Sequence, residues 1–222
     1  MSSPSLLVLA SASPRRRELL ARLGVPFLVR PPALDEETAF ASFLRSGQQP
    51  DQVAKGLAHA KARDVAATLS GALVLGADTL VVLDDRVLGK PRTAEEAREM
   101  LRALRDRQHT VITGVAVVEA GTERGLARTV RTRVWMRPYS DEEIDAYIAR
   151  GEPFDKAGGY AIQDPLFAPV ARWQGCYSNV VGLPLRTTAE LLAHFGLAVP
   201  NAVHLPQASM HYLPHERNTG RP

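Results

Sequence analysis

The chain holds a single cysteine, Cys176, so no disulfide can form within it, and a cytoplasmic setting is the expectation. Aromatic side chains are few, 6% of the total with two tryptophans, and they are too scattered to build a stacking platform for single-stranded nucleic acid. No apolar run approaches the length that crosses a bilayer, and the N-terminus shows no basic segment leading into an apolar one. No membrane partner is therefore expected. An excess of one charge is also missing: 27 Lys and Arg stand against 24 Asp and Glu, a net charge of +3. That balance argues against general coating of nucleic acid. Lysine is the scarce cation, found only at Lys55, Lys61, Lys90 and Lys156. Where arginine is the default, each lysine merits inspection. The familiar signatures GxxxxGK[ST], GxSxG and HExxH do not occur.

What is present is an ordinary globular composition, 45% hydrophobic in 222 residues, enough for one large domain or two small ones. "LLVLA" (6–10) reads as a buried strand. Ser13 and Pro14 open a helix that Gly24 ends near Leu23. "VPFLV" is the next strand and "PPALDEE" a loop. An alanine-rich helix is expected over 51–69, then a strand from Ala72 interrupted or ended at Gly76, and a second extended piece. Thr93 with Glu96 and Ser140 with Glu143 form capping boxes, opening helices to about Leu104 and to Gly151. Between them lie two strands joined near Gly121. Loops and short strands fill 158–185, and a last helix runs from Arg186 to Phe195. The alternation predicts an α/β fold, a mixed twisted sheet with flanking helices. Residues 1–199 form the expected domain, and 200–222, which lose apolar periodicity, a flexible tail. His204, His211 and His215 lie in that tail, at a spacing that matches no helical metal site.

Several stretches carry chemistry. In "SASPRRRELL" (11–20) three arginines stand at a helix start, an end that already bears partial positive charge. Residues about 100° apart cannot all face one ligand. Arg16 falls on the stripe of Leu19, Leu20 and Leu23, Arg15 lies beside it, and Arg17 points away. A strand-to-helix turn with guanidinium groups suits phosphate. Asp35, Glu36 and Glu37 offer carboxylates for Mg²⁺, although taken alone a solvated acidic loop is the plainer reading. Asp78 ends a core run in "VLGADT", a common place for metal ligation or base catalysis. Lys90 sits in a Gly-Pro turn suited to a phosphate. In "DKAGGYAIQD" (155–164) two glycines allow close backbone approach. Gln163 supplies an amide that donates and accepts, as a pyrimidine edge does, but an amide can flip, and selectivity needs neighbours that lock it.

"SASPRRRELL", "LDE", "LAHAKA", "LGADT", "LGKPRTAEEAREML", "DKAGGYAIQ" and "NVVGLPL" occur in this order over residues 5–196, and together they resemble the Maf family of nucleoside triphosphate pyrophosphatases. The resemblance implies a fold like that of inosine triphosphate pyrophosphatases, with two lobes around a cleft. It implies hydrolysis of a nucleoside triphosphate to the monophosphate and pyrophosphate, a divalent cation (Mg²⁺ or Mn²⁺) as cofactor, and a homodimer. Carried over by motif, Asp78 is the proton acceptor and, with Glu36, a metal site. Lys61, Lys90, Arg15, Arg16, Ser11 and Lys156 are substrate contacts. Arg15, Thr79 and Gln163 match the specificity positions of the dTTP/UTP subgroup. One departure is Asp164, where the subgroup usually has glycine, and it leaves a purine or methylated nucleotide open as the substrate. A nucleic-acid-binding regulator acting through the basic helix is the competing reading from another class.

Overall fold

A computed structural model describes residues 6–202 and 209–212 of the chain. The elements in order are β1 (Leu6–Ala10), α1 (Pro14–Ala21), β2 (Phe27–Val29), α2 (Glu36–Arg45), α3 (Pro50–Ala66), β3 (Ala72–Leu83), β4 (Arg86–Leu88), α4 (Ala94–Leu104), β5 (Gln108–Glu119), β6 (Gly125–Met136), α5 (Asp141–Ala149), β7 (Val170–Gly175), α6 (Tyr177–Val181), α7 (Leu185–His194) and β8 (Ser209–Tyr212). Two 3₁₀ turns, Glu152–Asp155 and Ala157–Gly159, link α5 to β7.

The eight strands form one mixed sheet in the order β2-β1-β3-β5-β6-β7-β8, with β4 added to β3. β1 is parallel to both its neighbours, and Leu7, Val8, Leu9 and Ala10 are all buried, as expected of a strand covered on both faces. Alternation then divides the core. Leu7, Leu9, Leu73 and Leu75 pack with Leu20 of α1, Leu101 of α4, Ile144 of α5 and Leu191 of α7. Val8, Ala10, Val74 and Ala116 pack under Ala58 and Ala62 of α3. The alanines and two strand glycines let α3 lie very close to the sheet. A Cβ on Gly76 would stand 2.2 Å from the Ala58 carbonyl oxygen, and one on Gly114 2.1 Å from that of Ala54. Gly76 therefore does not end the strand, contrary to the sequence expectation; β3 runs through it unbroken because the glycine is needed for packing.

The sheet contains a notch. β1 pairs with β3 only as far as Ala10↔Gly76, and β4 begins its pairing at Val81↔Leu88. Along that edge of β3, the backbone from Ala77 to Leu80 has no strand beside it among the described residues, while its other edge is fully paired with β5.

Three further expectations change in detail. "LDEE" is not a loop but the start of α2: Asp35 is its N-cap, accepting from the Glu37 and Thr38 amides at 3.1 and 3.2 Å. The helix packs Phe40 and Phe43 against Val53, Ala54 and Leu57 of α3. Ser140 and Glu143 make the full capping box, but Glu96 accepts from the Arg92 amide (2.7 Å) rather than from that of Thr93. The stretch after Gly159 holds a short strand, β7, as expected, and a helix, α6, that was not. Past Pro200, Ser209–Tyr212 pair antiparallel with Arg172–Gly175 of β7; His204 and His215 lie outside the described residues.

Candidate active site

The notch opens into a cleft of about 390 Å³. Ser11, Arg15, Arg16, Glu36, Lys61, Asp78, Thr79, Lys90, Lys156 and Gln163, the ten side chains that the family resemblance assigns to a site, all line it. They come from α1, α2, α3, β3, the turn after β4 and the 3₁₀ region, so the fold brings together residues up to 152 positions apart (Ser11 to Gln163). Five cationic side chains (Arg15, Arg16, Lys61, Lys90, Lys156) face three carboxylates (Glu36, Asp78, Asp155), so the walls carry a cationic excess suited to a polyanion.

Asp78 and Thr79 are consecutive on β3 and so point to opposite faces. Asp78 turns to α3. The Lys61 ammonium, on a side chain only 3% exposed, lies 2.7 Å from Asp78 Oδ1 and 2.9 Å from Glu36 Oε1. One buried cation thus bridges two carboxylates contributed by different elements. Lys90, on the exposed turn, stands 3.7 Å from Glu36 Oε2. Burial, the largest influence on Glu36, pushes its carboxyl up, but the charge and hydrogen bond of Lys61, with Lys90 and Arg16, hold it below the ordinary value. The three acids expected as one cluster are split by the helix: Asp35 caps it, Glu36 enters the cleft, and Glu37 pairs outside with Arg92 at 2.7 Å.

Thr79 turns to α1. The helix starts at the Ser13 cap, and its three arginines separate as the wheel requires. Arg16 reaches inward, donating through Nε to the Gly182 carbonyl (2.9 Å) and through Nη2 to Thr79 Oγ1 (3.2 Å). Ser11, buried behind it, accepts at 3.5 Å from Arg16 Nη1. Burial lowers the Arg16 pKa from its usual value, opposed by Asp78 and Glu36. Arg15 pairs with Asp155 at 2.8 Å, and Arg17 is exposed.

The far wall is the "DKAGGYAIQD" segment. The Gly158 amide donates to the Gly89 carbonyl (2.9 Å), tying this wall to the turn that carries Lys90. Gly158 and Gly159 have φ of 68° and 71°, the left-handed region that only glycine enters without strain. The Lys156 ammonium is nearly buried and is held by three protein acceptors: the Glu152 carbonyl, Glu152 Oε2 and Asp155 Oδ1. Gln163 is exposed at the mouth. Asp164, in contrast, is buried. It accepts from Arg150 at 3.0 Å and from the Leu166 and Phe167 amides at 3.0 and 2.7 Å, so the residue that departs from the subgroup pattern anchors the loop behind Gln163.

A model of the family described as Maf-like protein matches residues 6–195. The chain belongs to the Maf family. A Maf relative from Thermomicrobium roseum, named dTTP/UTP pyrophosphatase, is 55% identical over 202 residues, 90% of this chain and 89% of the relative. Another of the same name, from Moorella thermoacetica, is 53% identical over 195 residues, 88% of this chain and 97% of the relative. Of solved structures, the Ham1 protein of Staphylococcus aureus aligns over 59% of this chain and 71% of its own, at a TM-score of 0.34 and 11% identity, a likeness too slight to argue from.

The Maf motifs supplied the cleft's charges but not all of its supports. Asp155, which holds Arg15 and Lys156, stood in a quoted motif without being singled out. Gly182 likewise stood in "NVVGLPL" without being singled out, and Thr113 was missed. Thr113 left one signal, a polar residue inside the apolar run "VITGVAV" that turns out to be 0% exposed.

Proposed function

We propose that this Maf protein hydrolyses dTTP and UTP between the α- and β-phosphates, giving the nucleoside monophosphate and pyrophosphate. The observation that carries the reading is the Lys61 ammonium between Glu36 and Asp78 in a cleft where cations outnumber carboxylates. The names of the relatives at 55% and 53% identity support the same activity and the two nucleotides.

Asp78 is the proton acceptor in this reading. Lys61 occupies its Oδ1, and no hydrogen bond among the described residues takes Oδ2, the oxygen that this reading gives to the attacking water. As the water oxygen attacks the α-phosphorus, its proton passes to Asp78, the bond from that phosphorus to the bridging oxygen breaks, and pyrophosphate leaves with the charge. Lys90, Arg15 and Lys61 oppose that charge. Ser11 and Arg16 hold the α1 side of the cleft, and Lys156 acts by fixing Asp155 and, through it, Arg15.

Glu36 and Asp78 also fit a divalent cation. Their oxygens already converge on one cationic nitrogen, and they are hard donors. Among the described residues no group of three or more His, Cys, Asp or Glu side chains is placed to enclose a metal. Two protein carboxylates, with phosphate and water completing the shell, is the usual arrangement for Mg²⁺. When bound, the cation supplies neutralisation of the triphosphate oxygens.

Pyrophosphate release across a nucleotide panel with Mg²⁺ or Mn²⁺ tests the reading. Release from dTTP and UTP is expected; release from purine nucleotides alone, or from none, overturns it. A homodimer in the cytoplasm belongs to the same proposal, and light scattering checks the dimer. No helix among the described residues is long and apolar enough to cross a membrane.

A further inference from the structure

From the cleft wall, a chain of hydroxyl contacts runs from Arg16 into the buried sheet. Arg16 Nη2 lies 3.2 Å from Thr79 Oγ1, Thr79 Oγ1 3.0 Å from Thr113 Oγ1, and Thr113 Oγ1 3.0 Å from the Asn179 carbonyl oxygen. The ends of this chain fix its direction. A guanidinium can only donate, so Thr79 accepts from Arg16. A carbonyl can only accept, so Thr113 gives its one proton to Asn179. Thr113 then has none left for Thr79, and the contact between the two hydroxyls must use the proton of Thr79.

No solvent competes at Thr113, which is 0% exposed on β5 directly opposite Thr79. The Asn179 side chain reinforces the geometry, its Nδ2 donating to the Val111 carbonyl (3.1 Å) and to Thr132 Oγ1 (2.9 Å). Thr79, half-buried on the cleft wall, therefore offers the cleft a lone pair and no proton.

We infer that Thr113 is a specificity-determining positioning residue: it commits the Thr79 proton inward, so that Thr79 Oγ1 accepts from ring position 3 of the base. The inference rests on the pyrimidine nucleotide reading above. Uracil and thymine carry N–H at that position, while cytosine has a bare nitrogen. A freely rotating hydroxyl turns to suit either ring. A committed one meets N–H with an acceptor and meets the bare nitrogen with a lone pair. Thr113 touches the bound base nowhere in this scheme; it acts only through Thr79.

The test compares kcat/KM for UTP and CTP in the wild type, Thr113→Val and Thr113→Ser. The valine variant keeps the shape and removes the proton relay. Its UTP-to-CTP ratio is expected to fall about tenfold, the order of one hydrogen bond, chiefly through better use of CTP. Serine restores the hydroxyl and is expected to restore the ratio. A purely structural role would lower both substrates together, so an unchanged or larger ratio in Thr113→Val overturns the inference, as does a wild-type ratio near one. A wild type silent on both UTP and dTTP overturns the pyrimidine reading itself, which separates the two failures. Thr113→Cys, whose thiol is a weak partner of similar size, is read in the same way if the valine chain does not fold.

Discussion

Asp78 and Lys61 set the terms at the scale of single residues. Asp78→Asn removes the proton acceptor with almost no change of volume. Turnover of dTTP is expected to fall by about 10²- to 10⁴-fold, with the circular dichroism spectrum unchanged; near wild-type turnover would remove Asp78 from the chemistry. Single residues were also the most legible level of this sequence. Scarcity made Lys61, Lys90 and Lys156 visible, and motif order placed Asp78 and Glu36 in one site. The partners that orient them were not legible. The pairing of Arg15 with Asp155 spans 140 residues, and that of Thr79 with Thr113 depends on the register of β3 and β5. No local pattern encodes either distance. The split of Asp35, Glu36 and Glu37 was hidden for another reason: the double proline made "PPALDEE" read as one loop, and the N-cap role of Asp35 shows only once α2 is in place.

Among the elements, α3 is the one whose position everything else depends on. It lies on the sheet over Gly76 and Gly114 and carries Lys61 into the cleft. Replacing a strand glycine with alanine ordinarily gains about 0.5–1 kcal/mol through reduced backbone freedom. At Gly76 the new Cβ would overlap the Ala58 carbonyl oxygen at 2.2 Å, so steric cost wins. Overpacking of this kind costs about 1–3 kcal/mol or more. Gly76→Ala is expected to lower Tm and, by lifting Lys61, to lower kcat as well; a Tm at or above wild type would refute the close-packing account. In the sequence Gly76 looked like a strand breaker. The two meanings of glycine, interruption and close approach, share one letter, and only the helix above the strand separates them.

For the whole molecule, two predictions follow from what is buried and where. His109 is 2% exposed, its Nε2 bonded to the Tyr160 hydroxyl at 2.7 Å, and burial pushes its pKa down to about 3. Between that value and the unfolded value near 6.5 the unfolded chain binds the extra proton, so stability is full above about pH 6.5 and declines as pH falls. The loss from His109 alone is about 2 kcal/mol between pH 7.5 and pH 5. His109→Gln is expected to flatten that part of the Tm-versus-pH curve; an unchanged slope would assign the acid sensitivity elsewhere. The second concerns the C-terminal segment. Every described residue lining the cleft precedes Leu183. A chain ended after Ala202, which keeps the Asn201 hydrogen bond to the Arg22 carbonyl, is expected to retain wild-type kcat for dTTP. A large loss would make 203–222 part of the catalytic unit. At this scale the α/β class, the layered helices and the hairpin of β5 and β6 were legible, because alternation and capping are local. The order of strands was not, since it follows from which edges meet after collapse.

The wall of the cleft begins at Ser11 and closes at Gly182, and its contributors come from eight separated segments. Such a site cannot ripen gradually during synthesis. While the ribosome still holds the segment from Asp155 to Gly182, β1, α1, α3 and β3 can already be packed, yet Arg15 lacks Asp155 and Arg16 lacks the Gly182 carbonyl. Until that segment joins the fold the site is unfinished, and nucleotide turnover is expected to begin only once Asp155 and Gly182 are in place.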